Sequence, residues 1–446
     1  MLSVASSVIT FRVQRSGGFV ISLQRHDFGE RLINVIDTYG NYIFNTFWPT
    51  QLALMYSMPR EIPLTTWTIL SASVLVMLSV LSIVWIRKRP YFFVGWFWFL
   101  GTLVPVIGVV KVGAQSMADR YTYVPMIGLF IIVTWGCREL LSGISSKPIR
   151  RAIAMVAGSV VLILLAGLSV RQVSYWQNEL ILYSRALEVT EKNYLAHYNY
   201  GNALIKSGRL NEALKHFTIA LEQEPEHSGT QYNAGSALAL QGRCTEALPY
   251  FKNAIRYGND SARAWYELAY CEQRIGLLKE ALAHYQQALT RDPNMREARL
   301  GLGNVLARRG DTTSALAIYT NALGQWPSSR LTAARLIWLL STHTDEQYRD
   351  LPLAIKLAEA VRASNQAVDS SSIEVNDSLA AAFAAAGRFD EALPLAAQAY
   401  GLARTQRIQA EEQGWEEGVE RAAVVEQAIA DRIELVGARP HVAAQL

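Results

Sequence analysis

The sequence predicts an all-α protein in two parts, polytopic transmembrane helices followed by a solenoid of helical hairpins, and two observations carry that reading. From Tyr194 to Ser329 the chain repeats itself every 34 residues. Glycines fall at Gly201, Gly235 and Gly303, with Ala269 in the matching slot, and again at Gly208, Gly242, Gly276 and Gly310. Alanines hold two more registers (Ala213, Ala247, Ala281, Ala315 and Ala220, Ala254, Ala288, Ala322), and Phe217, Phe251, Tyr285 and Tyr319 hold an aromatic one. The second observation is composition: 51% of the 446 residues are hydrophobic, and the excess lies before residue 171. That is too apolar for an ordinary soluble repeat protein.

The period and the residue set resemble the tetratricopeptide repeat (TPR), an antiparallel helix pair. The resemblance implies that the small residues let the two helices approach closely and that the aromatic fills the gap between successive hairpins. Pro225, Pro293 and Pro327 end three of the four repeats, and Asn259 stands in the second.

A net charge of +4 without a dense Lys/Arg block argues against nucleic acid as a partner. Cys137, Cys244 and Cys271 have neither metal-ligand nor disulfide-framework spacing, so no metal and no cofactor is expected. Cys244 and Cys271 read as two buried thiols, or as a pair in an oxidising compartment.

In order along the chain, residues 1–63 form an outer or interfacial segment. Met1 to Phe11 is an apolar run too short to cross a bilayer, which needs roughly 20 residues, and its arginines follow it rather than precede it. It reads as a surface helix or as the last turns of a span that begins upstream. Glu30 to Trp48 has helical apolar spacing and an aromatic end, as in a helix lying on a membrane. Residues 64–170 then hold four uncharged stretches: Leu64–Ile86, Tyr91–Val110, Tyr121–Cys137 and Ala152–Val170. Basic residues concentrate in the first and third loops, which places those loops in the cytoplasm and the turn from Gln115 to Tyr123 outside. The expected location is the plasma (inner) membrane, with several passes and an extracytoplasmic array. The five arginines before Leu64 run against this orientation.

Residues 171–193 connect to the array through a helix read as Trp176–Val189. Regular repeats occupy 194–329 and two irregular ones 330–400, with Ser341 to Leu351 expected as a loop and Asp369 to Ser372 as an insertion. Residues 401–446 form the carboxyl-terminal cap and tail, with one polar helix expected from Gln406 to Val436.

The outer turn reads Ala118-Asp-Arg-Tyr-Thr-Tyr-Val-Pro125, and Gly95-Trp-Phe-Trp-Phe-Leu-Gly-Thr-Leu-Val-Pro105 precedes it. Joined to such an array, these segments resemble the transmembrane and TPR-containing O-mannosyltransferase family and its bacterial relatives. The resemblance implies a GT-C glycosyltransferase that moves a sugar from a polyprenyl phosphate donor to a protein hydroxyl on the outer face. It carries over to Asp119, Arg120 and Tyr121, with an arginine suited to holding lipid phosphate. The family's catalytic acid, in its first outer loop, has no counterpart here, so an enzyme of this type would be incomplete on its own.

The inner face of the array offers Tyr198, Tyr232 and Tyr266, then Asn199 and Asn233, then Asn202, Ser236, Tyr270 and Asn304, and finally Lys206, Arg274 and Arg308. These are common repeat residues, or they form a groove for extended peptides in which amides bind backbone and basic groups take carboxylates. Three function classes follow: the carboxyl-terminal part of a membrane glycosyltransferase whose array presents acceptor proteins, a non-catalytic anchored scaffold in the cell envelope, or a small complete enzyme using His26, Asp27 or Asp119. The third lacks a nucleophile motif, a phosphate loop and metal spacing.

Overall fold

The computed structural model describes residues 28–57, 62–107, 115–363, 372–412 and 416–437. The expectations for Met1–Phe11, His26, Asp27 and most of the Asp369–Ser372 insertion lie outside the described residues. The chain divides into two compact units, residues 1–225 and 226–446.

Unit one begins with α1 (Phe28–Phe47), α2 (Thr66–Val84), α3 (Pro90–Leu103), α4 (Met126–Ser142) and α5 (Lys147–Ser174). Thr65 and Thr68 start α2 with reciprocal side-chain caps, and Pro90 opens α3 at a position where its missing N–H costs nothing. The core of these helices gathers Tyr39, Tyr42, Trp96, Phe99, Leu103, Ile107, Met117 and Leu129. Backbones meet at Gly95 and Gly128: a Cβ on Gly95 would stand 2.4 Å from the Gly128 carbonyl, and one on Gly128 2.2 Å from that of Gly95. The glycine of the Gly95–Pro105 motif is therefore a helix-crossing residue. Trp96 completes the joint, donating its indole N–H to Ser79 Oγ at 2.9 Å.

Among the described residues two helices, Thr66–Val84 and Lys147–Ser174, are long and apolar enough to cross a membrane. None of the residues of α5 is buried, so its long apolar surface has no protein cover among the described residues. Of the other expected spans, the second comes out shorter and the third shifted along the chain at the same length. In place of Tyr91–Val110, α3 stops at Leu103: Val104 still has helical geometry, but Pro105 has no N–H with which to continue the ladder; its 14 residues extend only about 21 Å. The third helix is a 17-residue α4 starting at Met126, and the chain before it, Asp119–Thr122, is a 3₁₀ turn. Helix α1 is more than a surface helix. Its Tyr39 hydroxyl donates to the Leu100 carbonyl at 2.8 Å and Tyr42 to that of Ala118 at 3.1 Å, while Phe28, Phe44 and Phe47 stay exposed.

The rest of unit one is α6 (Glu179–Val189), α7 (Tyr194–Lys206) and α8 (Leu210–Gln223). The Asn178 side chain caps α6, so the connecting helix begins three residues later than Trp176. A two-stranded ribbon, β1 (Tyr56–Ser57) against β2 (Gln115–Met117), pairs antiparallel with Tyr56 opposite Met117. The segment before β1 is tied to the first hairpin. Arg185 donates to the Thr50 carbonyl at 2.8 Å, Asn193 to that of Met55 at 2.9 Å, and Ala53 packs with Ala186 and Ala196.

Unit two is a TPR-like stack of helices: α9 (Ser228–Leu240), α10 (Cys244–Arg256), α11 (Ala262–Arg274), α12 (Leu278–Arg291), α13 (Arg296–Arg308), α14 (Thr312–Gln325), α15 (Arg330–Thr342), α16 (Leu351–Ala363), α17 (Ile373–Ala385), α18 (Phe389–Glu412) and α19 (Glu416–Gly437). The second glycine series makes the turns inside the hairpins, with φ of +76° at Gly208, +75° at Gly242, +88° at Gly276 and +83° at Gly310. These glycines end the first helix in the left-handed conformation that other residues resist. The first series serves packing. A Cβ on Gly201 would lie 2.5 Å from the Phe217 ring, and one on Gly303 2.6 Å from that of Tyr319, both inside one hairpin; Tyr285 packs instead on Gly301 of the following hairpin. The aromatic thus fills space within hairpins as well as between them.

Two boundaries differ from expectation. Helix α15 continues to Thr342, so Ser341 is a buried helical residue rather than part of the loop, and the connection holds a 3₁₀ turn at Glu346–Tyr348. The single polar helix expected from Gln406 is two: α18 runs through Gln406 to Glu412, and α19 follows, seating Ile429 on Ala399 and Ala403.

Candidate functional site

In unit two the first helices of successive hairpins bring their repeat-equivalent positions to one face. Tyr266, Tyr270 and Arg274 lie four residues apart on α11 and therefore share a side. The two tyrosine rings stack at 6.1 Å, and the Arg274 guanidinium sits 5.9 Å from the Tyr270 ring. Burial pushes the Tyr266 hydroxyl up to about 12, so it is a neutral donor and acceptor. These residues open onto a cavity of about 610 Å³ that Asn304 of α13, Arg330 and Arg335 of α15 and Glu374 of α17 also line.

A second cavity, of about 1050 Å³, adjoins the first at Gln273 and Arg274. Arg308 stands on one side of it, with Arg421, Val424 and Val425 of α19 on the other. Arg308 donates to the Gln273 carbonyl at 2.9 Å, and the Tyr319 hydroxyl donates to Asn304 Oδ1 at 2.6 Å, so the fold fixes both predicted side chains. Around the first cavity, Arg274, Arg296, Arg330 and Arg335 face Glu297 and Glu374, and the Arg335–Glu374 pair at 2.6 Å offsets one charge of each sign. The remaining balance is cationic. Such a trough, polar at its walls and with stacked phenols at one end, can hold an extended chain by side-chain hydrogen bonds and accept carboxylates.

Of the residues expected on the inner face of the array, Tyr266, Tyr270, Arg274 and Asn304 line the first cavity and Arg308 the second. Sequence reasoning missed Arg296, Arg330, Arg335 and Glu374. The first two had a signal, since they stand 34 positions apart at the first residue of α13 and of α15. Glu374 had none, because it follows the irregular connection that breaks the period. On α9, Tyr232 packs against Phe251 at 5.9 Å and Asn233 is half-buried.

In unit one the predicted groove residues engage the protein's own groups. Tyr198 packs on Phe217 at 6.4 Å, and Asn199 donates its amide to the Leu195 carbonyl at 2.8 Å and lies 3.5 Å from Met55 Sδ. Lys206 pairs with Glu179 at 2.8 Å, and Asn202 lies half-buried on α7.

The Asp119–Thr122 turn separates residues that the sequence had grouped. Asp119 faces into the fold, where the Tyr56 hydroxyl donates to its carboxylate at 3.2 Å and the Ala53 N–H donates to Tyr56 at 3.0 Å. Burial pushes the Asp119 carboxyl up to about 6 against the help of these donors. Arg120 is exposed, with its guanidinium 5.3 Å from the Tyr121 ring, and Tyr123 beyond it is 79% exposed. The turn therefore has an inner acid and an outer cationic and aromatic surface. Among the described residues, no group of three or more His, Cys, Asp or Glu side chains could hold a metal ion.

The tetratricopeptide repeat family model matches four overlapping windows, residues 182–228, 198–252, 232–296 and 272–330. The chain is 25% identical over 247 residues to the mouse protein O-mannosyl-transferase TMTC1, a match covering 51% of this chain and 26% of that protein. A Caenorhabditis elegans protein, the O-mannosyl-transferase F38B6.6, is 26% identical over 126 residues, covering 28% of this chain and 17% of its own length. The chain thus spans about a quarter or less of the curated relatives it matches. Among solved structures, it is similar to YrrB, described as a TPR protein with an unusual peptide-binding site (23% identity, TM-score 0.36, covering 40% of this chain and 90% of YrrB). A tetratricopeptide repeat protein from Parabacteroides merdae is 16% identical with a TM-score of 0.41, over 52% of this chain and 84% of its own.

Proposed function

We propose that the chain is a membrane-anchored TPR protein whose array holds extended segments of partner proteins, in the manner of the carboxyl-terminal part of a polyprenyl-phosphate-sugar-dependent protein O-glycosyltransferase presenting its acceptors. The observation that carries the binding role is the pair of adjoining cavities in unit two, lined by repeat-equivalent Tyr, Asn and Arg side chains. Distant similarity to O-mannosyl-transferases supports the acceptor-presenting role, and the apolar, uncovered surface of α5 supports anchoring. In this reading four helices cross the plasma (inner) membrane and the array lies outside. Arg120, exposed on the outer turn, with half-buried Tyr121 beside it, would meet the phosphate of a polyprenyl-linked sugar.

One observation favours a second reading, a non-catalytic scaffold of the cell envelope. Asp119, the acid of the motif, is directed at Tyr56 and away from the surface that Arg120 presents. The two readings share the binding face and differ in whether sugar is transferred.

The binding role is tested by titrating neutral and acidic Ser/Thr-rich peptides against the full chain in detergent micelles. Arg274→Ala with Arg308→Ala is expected to weaken acidic peptides by roughly two decades or more, at about 1.5–3 kcal/mol for each charge-assisted hydrogen bond removed, and to flatten their salt dependence. Neutral peptides should bind almost as before. No binding to the parent chain would refute the role, and equal losses for both peptide classes would remove the arginines from it. Incubation with a labelled polyprenyl-phosphate sugar and a bound peptide separates the two readings.

A further inference from the structure

Cys244 is the first residue of α10 and Cys271 lies in α11, so the two thiols belong to different repeats. They are 1% and 0% exposed, and their sulfurs stand 2.8 Å apart. That is closer than two unbonded sulfurs rest comfortably, and a disulfide of about 2.05 Å needs a closure of only roughly 0.8 Å more. The repeat itself shows that packing does not demand sulfur there. The equivalent positions are Leu210 and Ala237 one repeat earlier and Leu278 and Val305 one repeat later, all apolar. Leu278 and Val305 pack in one core cluster, so an aliphatic pair serves at that junction. Only the junction between the second and third repeats carries a thiol on both sides. The third cysteine, Cys137, is exposed on α4 in the other unit.

We propose that Cys244 and Cys271 form an intramolecular disulfide that staples the second repeat to the third. The chemistry is a two-step thiol–disulfide exchange with a small disulfide oxidant such as oxidised glutathione. One cysteine thiolate attacks the oxidant and releases one glutathione thiolate, leaving a mixed disulfide. The second cysteine thiolate then attacks the protein-bound sulfur, forms the Cys244–Cys271 bond and releases the second glutathione. The two cysteines give up two protons and two electrons, and the oxidant leaves as two thiols. Because both sulfurs are buried, exchange takes place before α11 seats on α10 or when that seam opens. Once formed, the bond holds α11, with Tyr266, Tyr270 and Arg274, against the preceding hairpin. The reduced chain keeps the same packing without the cross-link.

The test uses the full chain in micelles, in a Cys137→Ser background, unfolded and refolded with oxidised glutathione and then denatured and alkylated before mass spectrometry. The peptides carrying Cys244 and Cys271 are expected to be linked and unalkylated until a reductant is added. Reduction should lower the melting midpoint of the array by roughly 5 °C or more, as for a cross-link closing a loop of this length. Cys271→Ala, which places the residue found at the equivalent Ala237, should fold normally and abolish the effect of reduction. Alkylation of both cysteines without reductant, or a separate glutathione adduct on each, would overturn the proposal. A link whose reduction leaves the melting midpoint unmoved would overturn its role as a staple.

Discussion

Gly276 shows how one residue type serves two physical needs in this repeat. Its φ is +88°, and a Cβ added to it would meet nothing within 4 Å. The turn is open, and the constraint is conformational rather than steric crowding. Gly276→Ala should therefore cost about 1–2 kcal/mol through the left-handed backbone alone, and thermal melts of the full chain check it. Gly301 is the opposite case, since a Cβ there would lie 2.3 Å from the buried Tyr285 ring. Gly301→Ala should cost about 1–3 kcal/mol by overpacking, and pairing it with Tyr285→Leu should recover part of the loss, whereas the same partner change should do nothing for Gly276→Ala. A third prediction rests on His197 and His216, whose Nδ1 atoms are 2.9 Å apart, with Tyr200 edge-on to His216. Burial, and then the neighbouring ring, holds the His197 imidazole down at about 4, and burial lowers His216 as well. A base depressed in the folded state stabilises fully above its unfolded value near 6.5, and that contribution is lost as pH falls through 6.5 towards 4. For a half-exposed pair the loss is about 1 kcal/mol. Asp119, raised by burial, has the opposite sign, its contribution being lost as pH rises, so the readout is the difference between the parent and His197→Gln. The variant should show a shallower fall in melting temperature between pH 6.5 and 4, and parallel profiles would count against the assignment.

At the scale of elements, the sequence reported helices faithfully where the period held and less so where geometry came from distant parts of the chain. The array was legible because the registers of Gly208, Ala213, Phe217 and Ala220 each reflect a local rule of turn or packing. Helix α3 was not, because an apolar run beyond Leu103 looks like continuing helix unless Pro105 is given priority. The division of the last helix into α18 and α19 had a signal in Gly414, a helix breaker that the single helix expected from Gln406 to Val436 ran across. The candidate site was half legible. Tyr266, Tyr270, Arg274, Asn304 and Arg308 follow from repeat position, whereas Arg335 and Glu374 depend on the stacking of irregular repeats. Nothing local in the sequence turns Asp119 inward, since Tyr56 lies 63 residues away. The cap carries the fourth prediction. Ile429 is fully buried against Ala399 and Ala403, so Ile429→Ala should cost about 2–5 kcal/mol with little scope for collapse onto small neighbours. Urea unfolding should show it, with the first turn of α19 exchanging its amides faster.

For the whole molecule, the membrane reading predicts that an array-side cysteine is reached from outside the cell and a loop-side one is not. Cys244 and Cys271 are buried, reduced or cross-linked, and the labelling is done with the exposed Cys137 replaced by serine. Gln286→Cys, exposed on α12, should then label with an impermeant reagent added to intact cells, while Ser146→Cys at the start of α5 should label only after permeabilisation. The reverse pattern would invert the topology and set aside the outer-face reading of Arg120. The claim at the centre of this account is that partner segments lie on the face formed by the first helices of the unit-two hairpins. Hydrogen–deuterium exchange of the full chain, with and without a saturating acidic Ser/Thr-rich peptide, tests it most directly. The peptide should slow exchange in α11, α13 and α15, whose side chains line the cavities, and leave α10, α12 and α14 unchanged. Protection confined to the second helices, or none at saturation, would contradict it.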